Sequence, residues 1–292
     1  MASLRQIKTK ISSVKGTSRI MSAMKLISAV KLKRAQDLLM AYRPYSDAYQ
    51  DTTMSVAKRC DQKWNPLLRK SDEPKKLHLV FLTSDRGLCG SFNSSLIRKL
   101  ETYLVTDTKS FEEVAFSFLG RRGRDHFVKE EVSITSSYIG ITERNYSEIS
   151  EKVSAELTKE FIKGDSDEVI LVYNYFKSAL TQEITYEKIL PIETDSEGED
   201  ETLVDYLYEP TRKGILNDLL PKYIQVRVQR AIQESMTSEH AARMTAMENA
   251  TSNANDVIKN LTLLYNKTRQ AMITTELMDI VNGTEALSKG DE

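Results

Sequence analysis

The sequence predicts an α/β protein in which long N- and C-terminal helices form an antiparallel coiled coil and a central domain carries a largely parallel sheet. Both ends of the 292-residue chain show helical spacing of apolar residues with few Gly or Pro. The middle shows short apolar runs that are typical of strands. With 40% hydrophobic residues, the chain can bury a sizeable core in one or two domains.

The first predicted helix runs from Leu4 to about Lys58, a stretch with a single Gly and a single Pro. At ~1.5 Å per residue it is on the order of 80 Å long, so another segment must cover its apolar seam. Pro44 can kink or end this helix, and we favour a kink. The seam positions mostly alternate by three and four residues: Leu4, Ile7, Ile11, Val14, Met21, Met24 and Ile27.

The last predicted helix includes the segment from Pro221 to Gly283, between which no Gly or Pro occurs. Because a globular segment joins the two ends, antiparallel pairing of the helices would bury both seams. Ala, Thr, Arg and His at seam positions give close but weak packing, which favours a rod that also uses a surrounding sleeve. The seam steps by alternating four and three: Met236, His240, Arg243, Met247, Ala250, Ala254, Val257, Leu261, Leu264, Thr268, Ala271, Thr275 and Met278.

The central segment is predicted to be a Rossmann-like domain with the order β-α-β-α-β-α-β. Further strands are expected at 181–192 and 204–208, where the sheet can be mixed. The expected domains are therefore 1–58, 75–209 and 211–287. The clearest strand-like runs are 77–83, 114–119 and 168–173, and the helix-like segments are 91–104, 121–129 and 146–162.

Charge is distributed unevenly, although 41 Lys and Arg nearly balance 42 Asp and Glu. Segment 193–201 is acidic and is expected to be a solvated loop. Aromatic residues for base stacking are absent before Tyr42, so an acidic protein partner is favoured over nucleic acid or an anionic membrane surface. Nine basic residues precede the first acid, Asp37: Arg5, Lys8, Lys10, Lys15, Arg19, Lys25, Lys31, Lys33 and Arg34.

Composition argues against several classes of protein. The mean hydropathy of -0.42 and the lack of a long apolar run argue against a spanning helix, and the charged start is not expected to be a signal peptide. Cys60 and Cys89 are expected to be free thiols. Together with the scattered His78, His126 and His240 they offer no metal-ligand spacing, so we expect no metal and no cofactor.

The sharpest local motif is TSDRGLCGSFN at 83–93, which follows the first strand and opens a helix, where backbone N–H groups can hold a phosphate. Its glycine spacing matches neither a dinucleotide-binding fingerprint nor a P-loop. We therefore expect a tight structural turn with Ser91 near the N-cap. Cys89 is expected to be a buried thiol, because no His or acid lies at the spacing of a catalytic dyad.

Several segments resemble the gamma subunit of F-type ATP synthases, and the order of the segments along the whole chain is that of the family. The first helix carries IKTKISSVKGT (7–17), IMSAMKLISA (20–29) and KLKRAQ (31–36). The central motif carries SDRGLCGSFN (84–93). The C-terminal helix carries SEHAARMTAMENAT (238–251) and LYNKTRQAMITTELMDIVNG (264–283), and the last of these is highly specific.

The resemblance implies a rotary shaft without catalytic residues of its own. In that family the terminal helices turn inside a ring of alternating alpha and beta subunits, and the α/β domain sits with the epsilon subunit on the membrane c-ring. Ion flow, expected to be of protons, thereby drives ATP synthesis. No nucleic acid and no small-molecule substrate is implied. The expected location is peripheral, on the cytoplasmic face of a bacterial inner membrane.

The resemblance also nominates residues that contact the alpha/beta ring, although Thr275 fits the helix seam equally well. Two alternatives stay open: a coiled-coil adaptor that uses the α/β domain for docking, and a nucleotide-binding α/β enzyme with helical arms. Co-purification with alpha, beta and c subunits would distinguish the rotary-shaft hypothesis from these two alternatives. The nominated residues are Met24, Lys25, Arg269, Gln270, Thr274, Thr275, Glu276 and Asp279.

Overall fold

The computed structural model describes residues 4–193, 208–209 and 211–288. The chain forms two compact units, one of Met1–Ile27 with Ala246–Glu292 and the other of Ser28–Thr245. The two terminal helices contribute to both units. The elements in chain order are α1 (Leu4–Lys58), β1 (Lys76–Leu82), α2 (Phe92–Thr106), β2 (Glu113–Leu119), α3 (Arg121–Phe127), β3 (Ser133–Tyr138), α4 (Tyr146–Lys163), β4 (Glu168–Phe176), β5 (Gln182–Leu190) and α5 (Arg212–Ser288).

In the first unit, α1 and α5 pair in an antiparallel orientation. The Ser18 hydroxyl donates to Asn255 Oδ1 at 3.3 Å, and the Lys25 ammonium donates to Glu248 Oε1 at 2.6 Å. The two pairs are seven residues apart on each helix, in opposite directions along the chain. This register confirms the predicted antiparallel coiled coil.

The buried line along α5 differs in part from the predicted seam. Ala254 is buried as predicted, but Val257 and Leu264 are 43% and 48% exposed. Ile258 and Tyr265 take their places, half-buried. Apolar residues flank the line on both sides, so spacing alone could not show which flank faces α1.

Beyond Thr268 the predicted seam of α5 is wrong as an intramolecular contact. The predicted seam positions Ala271, Thr275 and Met278 are exposed, as is the whole of 269–282. The observed register places Leu4, the first described residue of α1, opposite about Arg269. Within the described residues, α1 is therefore too short to cover the last part of α5.

The second unit contains a five-stranded sheet with the order β3-β2-β1-β4-β5. Neighbouring strands are parallel except for β5, which runs antiparallel to β4. This arrangement confirms the predicted, largely parallel sheet and its mixed edge. The strand β3, which the sequence implied but did not locate, is an exposed edge rich in Ser and Thr. Its polar composition hides it from a search for apolar runs.

Helices cover both faces of the sheet, and each face has its own core. On one face, Phe81 and Phe116 pack with Leu96 of α2 and Phe127 of α3. The other face carries a larger cluster in which α4, α5 and the end of α1 meet the sheet. Representative residues of that cluster are Val56, Leu82, Val153, Leu171 and Ile224.

Several local predictions have outcomes in the structure. The helix α1 continues through Pro44, so the proline does not end it. Cys60 is a half-buried free thiol, and Cys89 is a buried one. The segment 194–207, with most of the acidic loop and of the strand expected at 204–208, lies outside the described residues. No helix in the described part of the chain combines the length and apolarity that a membrane crossing requires.

Replacement of Gly120 by Ala is expected to destabilise the second unit strongly. Gly120 has φ +111°, and an added Cβ would lie 2.0 Å from the Thr83 carbonyl oxygen. Gly140 also has a positive φ, +77°, but nothing lies within 4 Å of its Cβ position. Urea unfolding of the full chain should show a loss of about 3 kcal/mol or more for Gly120→Ala and about 1 kcal/mol for Gly140→Ala. Equal losses would contradict the close approach of these two segments.

Candidate functional site

The carboxyl ends of β1 and β4 are the place where a nucleotide site would be expected. Chain connections leave these two neighbouring strands in opposite directions along the sheet, and ligands of open α/β sheets bind at such a switch point. The 83–93 motif follows β1 directly and therefore lies at this edge. The geometry of this edge tests whether the domain can act as a nucleotide-binding enzyme.

The motif forms a tight turn that its own side chains hold. The Asn93 amide donates to Ser84 Oγ at 2.7 Å, and the Ser84 hydroxyl donates to the Arg86 carbonyl at 2.7 Å. Leu88 and Gly90 have positive φ values of 63° and 60°. Ser91 is the N-cap residue of α2, although its side chain makes no capping hydrogen bond. The motif is therefore the structural turn that its glycine spacing indicated.

Asp85 occupies donors that a phosphate would otherwise use. One carboxylate oxygen accepts the backbone N–H of Arg121 at 2.9 Å, and the other accepts that of Gly140 at 2.7 Å. These donors lie at the start of α3 and after β3, next to the end of β1. The domain thus satisfies these groups internally with a negative charge, which would repel a phosphate.

The helix α5 fills the switch point itself. Its Ser238 hydroxyl donates to the Asn174 carbonyl of β4 at 3.1 Å. Its Arg243 guanidinium donates to the Arg86 and Gly87 carbonyls at 3.1 and 3.3 Å. A cavity of about 30 Å³ remains at this edge, which is room for about one water molecule. A nucleotide does not fit in this cavity.

A buried ion pair joins α1, α5 and β4 at the same edge. The Arg43 guanidinium contacts both carboxylate oxygens of Glu234, at 2.8 and 2.7 Å, and Glu234 has a fully buried side chain. The Phe176 N–H donates to Glu234 at 3.0 Å, and Arg43 donates to the Phe176 carbonyl at 2.7 Å. Burial lowers the pKa of Arg43, but the hydrogen bond and charge of Glu234 outweigh it and raise the pKa overall. Sequence reasoning missed this pair.

Two further ionisable groups of α5 are perturbed near the turn. Burial raises the pKa of Glu239, although Arg243 at 2.7 Å opposes this shift. Burial, together with the positive charges of Arg243 and Lys31, lowers the pKa of His240 to about 4. His240 Nδ1 is buried and has no hydrogen-bond partner among the described residues. His240 is therefore a neutral, packed imidazole at neutral pH.

In the part of the chain that the structure describes, no three His, Cys, Asp or Glu side chains are grouped so that they could hold a metal ion. His78, one of the scattered histidines, is instead buried in the sheet. Its Nδ1 lies 2.9 Å from Glu160 Oε2, and its Nε2 lies 2.8 Å from Ser117 Oγ. It ties β1 to β2 and α4.

The nominated contact residues fall into two groups in the first unit. Met24 and Lys25 lie half-buried on α1, where Lys25 pairs with Glu248. About twenty residues of α5 separate Glu248 from the second group, which is roughly 30 Å at 1.5 Å per residue. The second group is fully on the exposed end of α5: Arg269, Gln270, Thr274, Thr275, Glu276 and Asp279.

The exposed end of α5 also carries large apolar side chains that sequence reasoning did not nominate. They lie on several sides of the helix, so they do not form a single seam. A search for apolar residues off the heptad line would have found most of them. They are Leu263, Leu264, Met272, Ile273, Leu277, Met278, Ile280 and Val281, each at least 45% exposed.

We expect the free energy of unfolding to decrease as the pH is lowered, because of His240. Folded His240 stays neutral down to about pH 4, whereas the unfolded side chain takes up a proton near its ordinary pKa of 6.5. Unfolding is therefore favoured as pH falls below 6.5, by about 2 kcal/mol between pH 7 and pH 5. Urea unfolding at these two pH values should show that His240→Gln removes this part of the pH dependence.

The matched control is His126→Gln, since His126 is a half-buried histidine on α3, whose Nε2 lies 2.8 Å from Glu101 Oε1. The raised pKa of Glu239 acts in the opposite direction, because folded Glu239 takes up a proton more readily than the unfolded side chain. It is present in all three proteins and cancels in the comparison. An unchanged pH dependence in His240→Gln would contradict the buried, neutral imidazole.

Comparison with known proteins identifies relatives over nearly the whole chain. The family model described as ATP synthase matches residues 3–287. The ATP synthase gamma chain of Anaeromyxobacter sp. (strain Fw109-5) is 42% identical over 290 residues, which cover 98% of this chain and 100% of that protein. The ATP synthase gamma chain of Geobacter sp. (strain M21) is 41% identical over 287 residues, covering 98% and 99%.

Solved structures show the same fold. A chain of the central stalk/c-ring structure of Tetrahymena thermophila mitochondrial ATP synthase has a TM-score of 0.59 and 26% identity, covering 79% of this chain and 99% of that one. A chain of the OSCP/F1/c-ring structure of Euglena gracilis mitochondrial ATP synthase has a TM-score of 0.69 and 22% identity, covering 99% and 96%. The full-length match in sequence and the match in fold agree, and the chain belongs to the ATP synthase gamma chain family.

Proposed function

We propose that the chain is the central rotary shaft of an F-type ATP synthase, which couples ion flow through a membrane rotor to ATP synthesis and hydrolysis in an alpha/beta hexamer. The observation that carries this proposal is the end of α5. Past Thr268 this helix leaves the cover of α1 and exposes apolar side chains on several sides. Apolar side chains that are exposed on several sides of a helix require a partner that contacts more than one side.

A ring of subunits matches this requirement better than a single docking partner. A partner on one side would cover one stripe of the helix, such as that of Ile273, Leu277 and Ile280, whereas Met272 and Met278 lie outside this stripe, on either side of it. A sleeve around the helix contacts all of them. We assign the contacts with the alpha/beta ring to Met24 and Lys25 on α1 and to the nominated residues 269–279 on α5.

The basic face of α1 supports an acidic lining for that sleeve. Lys8, Lys10, Lys15 and Arg19 are all exposed on the first unit. Exposed ion pairs contribute roughly 0–1 kcal/mol each and are screened within about 8–10 Å at physiological salt. Many weak contacts can therefore be broken and remade as a shaft turns. We infer acidic loops on the ring, especially on beta.

We propose that the α/β domain meets the remaining partners. The Tetrahymena chain comes from a central stalk/c-ring structure, which supports placing the domain of this chain against a c-ring. We further propose that the epsilon subunit lies beside the domain, as the resemblance to the gamma subunit implies. We propose that the chain itself is non-catalytic, which is supported by the way in which α5 fills the switch point and leaves about 30 Å³ there. We propose a peripheral position at the cytoplasmic face of a bacterial inner membrane.

Co-purification tests this function. The tagged chain, isolated from detergent-solubilised native membranes, should bring down alpha, beta, epsilon and c subunits. A variant with four contact residues changed to Ala should recover on the order of tenfold less alpha and beta, because four losses of up to ~1 kcal/mol add up. Recovery of the c subunit should be unchanged. The four residues are Arg269, Gln270, Glu276 and Asp279.

The matched control changes four exposed polar residues of α2 to Ala, and it should recover alpha and beta at the wild-type level. If the unmodified chain failed to bring down alpha, beta and c subunits, the proposed function as a rotary shaft would be wrong. Recovery of another set of proteins through the α/β domain would support the adaptor alternative. The control residues are Arg98, Lys99, Thr102 and Thr106.

A further inference from the structure

A short basic segment of the second unit lies between the end of α1 and β1, and we call its residues 58–70 the basic turn. The helix α1 ends at Lys58, and two single-turn 3-10 helices follow, Gln62–Trp64 and Pro66–Leu68. The basic turn contains one acid, Asp61, and five cations, so its net charge is +4. The cations are Lys58, Arg59, Lys63, Arg69 and Lys70.

Buried residues anchor the basic turn in the domain. The Asn65 side chain accepts the Leu67 N–H at 2.9 Å and donates to Asn217 Oδ1 at 2.9 Å. Leu67 and Leu68 are 1% and 2% exposed, and the Leu67 carbonyl accepts the Ile192 N–H at 2.9 Å. The inner side of the turn is therefore fixed by the core, and a partner of its outer side does not have to order the backbone.

The outer side of the basic turn presents an aromatic ring. Trp64, the single Trp of the chain, is 39% exposed. Its indole N–H has no hydrogen-bond partner among the residues that the structure describes. The Trp64 N–H bonds to the Asp61 carbonyl at 2.9 Å, and the Arg69 N–H bonds to the Pro66 carbonyl at 3.0 Å. These closures keep the backbones of Lys63 and Arg69 within roughly 15 Å of Trp64.

Most of the positive charge beside the ring is not neutralised. Lys58, Lys63 and Arg69 are exposed, and no carboxylate in the described part of the chain forms an ion pair with them. Lys70 is also exposed. It interacts electrostatically with Glu193, but Glu193 is already paired with Lys188 at 2.8 Å.

The combination of a Trp with several Lys and Arg distinguishes between two kinds of negatively charged partner. At a membrane surface, a Trp ring lies at the level of the headgroups, and each nearby Lys or Arg strengthens binding to anionic lipid about fivefold. The basic start of α1 has no aromatic residue before Tyr42, and an acidic protein partner is favoured there. At the basic turn, the exposed indole favours a lipid surface.

We propose that the basic turn is a membrane-surface site that binds the headgroups of anionic phospholipids. The exposed Lys and Arg side chains contact the lipid phosphates, and the Trp64 ring lies among the headgroups with its N–H donating to a lipid oxygen. This inference goes beyond the shaft function and does not depend on it, because it concerns a lipid contact that the chain makes by itself.

Trp64 is a local reporter of this contact, because the chain has no other Trp. The full chain is titrated with phosphatidylcholine vesicles that contain about one third phosphatidylglycerol and carry bromine on the acyl chains near the headgroups. The Trp64 emission should shift to shorter wavelengths and be quenched, and binding should weaken as salt is raised. Vesicles of phosphatidylcholine alone should bind at least about tenfold more weakly. Inorganic phosphate should leave the emission unchanged.

A variant in which the four exposed cations of the basic turn are replaced should bind the anionic vesicles at least about fiftyfold more weakly, at about fivefold for each cation. The matched control replaces four exposed cations of the same unit that lie outside the turn, and it should bind like the wild type. The variant carries Lys58→Gln, Lys63→Gln, Arg69→Gln and Lys70→Gln. The control carries Arg98→Gln, Lys99→Gln, Lys109→Gln and Lys129→Gln.

Three results would overturn the lipid site. If the chain floated with the vesicles while the Trp64 emission stayed unchanged, another surface, such as the exposed end of α5, would be the one that binds. Equal losses of affinity in the variant and the control would show that only net charge matters. Wild-type chain that does not bind the anionic vesicles would indicate an acidic protein as the partner of the basic turn. Each result leaves the shaft function to the co-purification experiment.

Discussion

The second unit of this gamma chain depends on the buried ion pair between Arg43 and Glu234. A carboxylate with no exposure to water must find its charge and hydrogen-bond partners inside the protein. The guanidinium of Arg43 on α1 donates to both carboxylate oxygens, and the backbone N–H of Phe176 on β4 donates to one of them. Three elements must therefore meet at one point. Once they do, α5 lies across the sheet edge, and the switch point is filled by protein.

The contacts between the same two helices are more deeply buried in the second unit than in the first, where the ion-paired side chains of Lys25 and Glu248 are 36% and 56% exposed. In the second unit, directional and buried bonds fix α1 against α5 and both against the sheet. In the first unit, the buried residues include Ser18 and Ala254, and the last part of α5 has no cover from the described part of α1. A firm attachment in one unit and a weakly held, exposed surface in the other suit a shaft that must turn against its surroundings.

Periodicity was enough to predict the terminal helices, the parallel strands and the antiparallel pairing, because each repeats one signal over many residues. Periodicity failed where two adjacent apolar residues could each face the partner helix, as with Val257 and Ile258. It also failed where a strand is polar, as in β3. The ion pair of Arg43 and Glu234 could not be predicted from the sequence either. Arg43 and Glu234 are 191 residues apart, and each residue type usually lies on the surface, so only the fold shows that they meet.

A double-mutant cycle on Arg43 and Glu234 tests the central claim most directly. The free energy of unfolding of the full chain in urea is measured for wild type, Arg43→Met, Glu234→Gln and the double variant. Each single change should cost about 3–5 kcal/mol because it leaves a buried charge without its partner, and the double variant should cost about 2 kcal/mol or more less than the sum. Costs that add to within about 0.5 kcal/mol would show that the two residues act independently, and would contradict the account.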